Sequence, residues 1–142
     1  MSFPLILLAL SSGCPKGTTA MLGPYYARLK AVPQEEWDAL AQKKIFFGHK
    51  SVGLDIISGL HDVMENVPAI KLNIRETADA GEFENPVFAH ALLGKNKFPQ
   101  SKIDAFRQAL EGGLGPKVDI AFFKFCFVDI DFQTDLEILL ES

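Results

Sequence analysis

Two hydrophobic periods take turns along this chain. Trp37, Leu40 and Ala41 give residues 33–41 one apolar side, behind a proline and two acids that suit the start of a helix. Lys44 to Phe47 is a short apolar run that reads as a strand. Ile56, Ile57, Leu60, Val63 and Met64 then recur at i, i+1, i+4, i+7 and i+8, the stripe of an amphipathic helix, with Asp55, Ser58, Asp62 and Glu65 opposite. Pro68 stops that helix, and Ala69 to Ile74 predicts a second strand. Residues 76–97 have no clean period, and Gly81, Pro86, Gly94 and Asn96 mark them as a long loop. Ser101 is the expected N-cap of a further helix whose inner face is Ile103, Phe106 and Leu110 and which ends at Gly112-Gly113. Val118 to Phe127, apolar except for Asp119 and Lys124, predicts a parallel strand buried on both faces. Thr134-Asp135-Leu136-Glu137 has the form of a capping box opening one more helix.

Strands separated by helices predict an α/β fold with a parallel sheet covered on both sides, in strand order 2-1-3. Three strands are few against the usual sheet of roughly 5–6. Residues 33–142 are therefore expected to form the N-terminal part of a larger doubly wound domain, truncated after its third strand. With 142 residues, 48% of them hydrophobic, the chain can bury one real core. A net charge of −4 and no basic cluster interleaved with aromatics argue against a nucleic-acid platform.

The N-terminus has a different character. Phe3 to Leu10 is an apolar run followed by Ser11-Ser12-Gly13-Cys14, similar to a secretory segment ending in a bacterial lipoprotein box. On that reading residues 1–14 are a signal segment, Cys14 is lipidated, and the protein is exported or anchored to the envelope membrane. The alternative is a buried first element of a cytoplasmic protein. The run is too short for a spanning helix, which needs ~20 apolar residues. Residues 15–32, with Pro15, Gly17, Gly23 and Pro24, read as a linker or irregular lead-in.

The candidate chemistry lies in Gly48-His49-Lys50-Ser51-Val52-Gly53, where the first strand turns into a helix. A serine there stands beside the unpaired N–H groups of a helix N-terminus, which can hold an oxyanion or a phosphate. A Walker loop is excluded, because His49 precedes the lysine and the required upstream glycine is missing. Gly-x-Ser-x-Gly is excluded as well, since the glycines lie at −3 and +2 from Ser51. A plain helix N-cap remains open for the serine. His49 is either a base within a turn of Ser51 or a residue that fills the turn, and His90 in the long loop is a second candidate base on the same edge. The histidines have no metal-ligand spacing, so no metal or other cofactor is expected.

Ile45 to Gly53, the Gly94-Lys95-Asn96 segment and Asp119 to Asp129 together resemble a divergent branch of the SGNH (GDSL-like) hydrolases, over roughly residues 43–142. That resemblance implies a three-layer α/β/α, flavodoxin-like fold and an esterase acting on an acyl or acetyl ester of a carbohydrate or lipid. It implies Ser51 as nucleophile, with oxyanion donors at Ser51, Gly94 and Asn96. Cys126 to Asp129 falls on the block that normally reads Gly-x-Asn-Asp, so Gly48, His49, His90 and Asp129 belong to the expected active-site edge. Three departures accompany it: His49 and Lys50 separate Gly48 from Ser51, Val128 replaces the asparagine donor, and no Asp-x-x-His block follows. The competing expectation is a truncated or degenerate, non-catalytic α/β domain that binds a ligand or a partner.

Overall fold

The structure, a computed structural model, describes residues 19–141. Its elements are α1 (Thr19–Lys30), α2 (Gln34–Ala41), β1 (Lys44–His49), α3 (Ser51–Asn66), β2 (Ile74–Glu76), β3 (Val87–Leu92), α4 (Pro99–Ala109), β4 (Ile120–Phe123) and α5 (Leu136–Glu141). Short 3₁₀ and π turns fill residues 80–84 and 110–117. The strands form one four-stranded sheet in the order β2-β3-β1-β4, parallel throughout. This is the expected α/β fold with helices on both faces of a parallel sheet.

Helix placement follows from the strand pleat. Successive side chains of β1 point to opposite faces. Phe47 and His49 look towards α3, where the His49 ring meets Gly53. Phe46 looks the other way, stacked on Phe106 of α4 at 6.2 Å between ring centres and set edge-on to Phe83 at 6.3 Å. On that second face lies the core: Phe46, Phe83, Val87, Ala89 and Leu114, each no more than 2% exposed.

Four local expectations change. The second strand is Ile74–Glu76 and not Ala69–Ile74. The supposed long loop contains β3, which lies between β2 and β1. Val87, Ala89 and Ala91 join the core side of that strand, while Phe88, His90 and Leu92 fall on the α3 side. Pro86 and Gly94 bound this strand; they do not interrupt it. The last strand is shorter than Val118–Phe127 and is not buried on both faces. It pairs only with β1 among the described residues, and Ile120 and Phe122 are 43% and 42% exposed. Residues 15–32, read as an irregular lead-in, include α1.

The helix caps differ too. Ser101 sits inside the first turn of α4, and its hydroxyl donates back to the Phe98 carbonyl at 2.6 Å. Asp135, not Thr134, caps α5 by accepting from the Glu137 and Ile138 N–H groups. The proposed signal segment and Cys14 lie outside the described residues. Among those described, no helix is long and apolar enough to cross a membrane.

Candidate functional site

Three segments meet at the carboxyl edge of the sheet: those following β1, β3 and β4. Ladder bonds that continue past the strands hold them together, with Leu93 N–H donating to the His49 carbonyl at 2.7 Å and Lys124 N–H to the Gly48 carbonyl at 3.1 Å. Gly48 allows that convergence, because a Cβ there would come within 2.4 Å of Leu93 Cδ1 and 3.1 Å of Phe123 Cβ.

Lys50 is the residue before α3, in extended conformation, and its carbonyl accepts from Gly53 N–H at 2.6 Å. Ser51 is therefore the first helical residue and not the N-cap. Its hydroxyl caps nothing, has no hydrogen-bond partner among the described residues, and is exposed. Gly53 is buried against the sheet. Two residues back, about 200° around the helix, Ser51 faces outward.

His49 is a strand residue, 1% exposed, and does not belong to the turn. Its Nδ1 lies 3.1 Å from the Lys50 carbonyl and its Nε2 lies 3.0 Å from His90 Nδ1. A carbonyl only accepts, so the network assigns the His49 proton to Nδ1. His49 Nε2 must then accept from His90 Nδ1–H, leaving the lone pair of His90 on Nε2. Both nitrogens of His49 are thus committed, and it is not a free base for Ser51. Burial first, then the neighbouring His49 ring, hold the His90 pKa below the ordinary histidine value; Glu76 opposes the shift and His61 adds to it.

The turn after β3 needs a glycine. Gly94 has φ +64°, and a Cβ there would lie 2.7 Å from the Lys102 backbone. Its N–H has no hydrogen-bond partner among the described residues. Gly94→Ala is expected to destabilise the fold by about 1–3 kcal/mol through overpacking and left-handed strain, read as a lower urea midpoint with an unchanged m-value. Asn96 presents its side-chain oxygen to Lys102 Nζ at 3.2 Å, which leaves its NH₂ as a donor.

Asp129 lies in the loop after β4, and its carboxylate is fully engaged. It forms a buried ion pair with Lys102 and accepts from Cys126 N–H at 2.5 Å and Lys97 N–H at 2.9 Å. This carboxylate therefore ties the loops after β3 and β4 to α4. Lys102 was missed as a site residue. Its sequence signal is its spacing, one helical turn before Phe106 on the apolar side. Cys126, in the loop after β4, is buried.

Two depressions open near this edge. One, about 420 Å³, is lined by apolar side chains of α4, α5 and the end of β4, including Ile103, Phe123, Phe125 and Leu139. The other, about 250 Å³, is polar and lies among Lys97, Asp129, Asp131, Gln133 and Thr134. Among the described residues no three His, Cys, Asp or Glu side chains are placed to hold a metal. No family model, curated protein or solved structure matches the chain.

Proposed function

We propose that this chain carries the nucleophile side of an SGNH-type ester-hydrolase site acting on an acyl or acetyl ester of a carbohydrate or lipid. The observation that carries the reading is Ser51: an exposed hydroxyl with no structural partner, on the first turn of the helix that leaves a central strand. Ser51 Oγ attacks the ester carbonyl, and the N–H groups of Ser51 and Gly94 hold the oxyanion, with the Asn96 amide as a further donor. The acid–base histidine of such a site belongs to the Asp-x-x-His block, which this sequence does not contain. A second reading, a non-catalytic α/β domain that binds a ligand at this edge, is favoured by one observation: Asp129 is locked by Lys102 and not free for catalysis.

A fluorophosphonate separates the two. Ser51 Oγ forms a bond to phosphorus as the P–F bond breaks; fluoride leaves and the hydroxyl proton passes to the buffer, since the sequence contains no Asp-x-x-His block to take it. The expected result is one phosphonyl adduct on the wild-type chain, mapped to Ser51 by peptide mass spectrometry and lost in Ser51→Ala. In reagent excess at alkaline pH, labelling of Ser51 no faster than that of the chain's other exposed serines removes Ser51 as nucleophile and leaves the binding reading.

A further inference from the structure

We propose that the His49–His90 pair is a proton-sensitive latch that holds the first turn of α3 against the sheet and releases it on acidification. The closed state is built tightly. His49 fills the space beneath Gly53, where even a methyl group would sit 2.2–2.3 Å from its ring, and both of its nitrogens are bonded. His90 is 5% exposed and supplies the proton that His49 Nε2 accepts.

The pair has a single entrance for a further proton. His90 Nδ1 is bonded to His49, and no hydrogen bond to His90 Nε2 is found among the described residues, so its lone pair is the one left to take a proton. A proton arriving there makes a cation under α3 without breaking the bond to His49. The charged groups around His90 come from each neighbouring element. Glu76 of β2 is its register partner and attracts the cation, His61 of α3 disfavours it, and His49 of β1 holds it from the third side. Lifting the first turn of α3 returns the ring to water and relieves the charge.

The sign follows from the lowered His90 value. A histidine held neutral in the closed state binds fewer protons than in the open state, so the closed state is favoured at high pH. That preference is lost as pH falls from about 6.5 through the closed-state value, by about tenfold per pH unit. The consequence for catalysis, displacement of Ser51, rests on the hydrolase reading; the latch itself does not. A chain whose Ser51 labels no faster than its other exposed serines but shows the pH response rejects the nucleophile alone.

Amide hydrogen exchange of the full chain between pH 7 and 5 tests it. The protection factor of Gly53 N–H is expected to fall about tenfold per pH unit below roughly pH 6.5, while Phe46 and Ala89 in the sheet keep theirs. His90→Asn, whose amide can still donate to His49 but does not titrate, is expected to hold Gly53 protection constant. The same fall in His90→Asn overturns the latch. If that variant does not fold, the wild type decides: the His90 ring-proton shift and Gly53 protection must change over one pH range. A His90 that titrates while Gly53 protection stays constant overturns the latch as well.

Discussion

Lys102→Met is expected to destabilise the protein by about 3–5 kcal/mol, the cost of leaving one partner of a buried ion pair uncompensated. The Lys102 and Asp129 side chains are 1% and 0% exposed, so water cannot take over for either. Removing the ammonium also frees the oxygen of Asn96 and leaves the Asp129 carboxylate with two backbone N–H donors and no counterion. Against a total stability of about 5–15 kcal/mol, this is a large share, and the loops after β3 and β4 should loosen together. Urea denaturation reads the loss as a shift in midpoint. The exposed Arg75–Glu82 pair is the contrast: Arg75→Ala is expected to cost at most about 1 kcal/mol.

The pH dependence of this clamp is distinct from that of the histidine pair. Burial works to raise the Asp129 pKa, but the Lys102 hydrogen bond and the N–H groups of Cys126 and Lys97 outweigh it, so the carboxyl lies below its usual range. A lowered carboxylate contributes stability that is complete above the unfolded value near 3.9 and is lost as pH falls through the folded one. The clamp should therefore hold while His90 responds, below its ordinary value of about 6.5, and fail only in stronger acid.

Phe46→Ala should cost a comparable amount, about 3–5 kcal/mol, by emptying the centre of the core on the α4 face. Phe46 is fully buried and joins β1 to Phe83 and to Phe106 of α4, so no side chain can move in without giving up its own packing. Phe122→Ala, one strand away, provides the comparison. Its ring lies 4.9 Å from Phe47 but is 42% exposed, so the expected loss is under about 1.5 kcal/mol. Thermal unfolding of the two variants side by side checks the ranking. Equal losses would mean that the α3 side of β4 is better covered than its exposure indicates.

Much of the fold was legible in local patterns. The stripe from Ile56 to Met64 marked α3, and the apolar run at Lys44 marked β1, because one face of each must leave water. β3 was hidden for the same reason. Val-Phe-Ala-His-Ala-Leu carries a histidine and two alanines in place of large β-branched residues, so its propensity is weak, and neighbouring strands rather than its own sequence make it a strand. The candidate site divides in the same way. Gly48 and Ser51 stood out because a strand-to-helix turn restricts residue type locally, and Gly94 through the family resemblance alone. Lys102 and the His49–His90 bond did not, since their partners lie 27 and 41 residues away.

By itself the sequence determined an α/β chain with a parallel sheet and a serine on the turn after its first strand, since hydrophobic period and turn chemistry are short-range. Only the tertiary structure decided which polar groups of that edge are free. Ser51 is left without a bond because Lys50 precedes the helix in its place. His49 is consumed because β3 lies beside β1 and brings His90 to it, and Asp129 is consumed because α4 carries Lys102 beneath it. Burial forces His49 and Asp129 to find partners, and which partner is in reach depends on how distant segments pack.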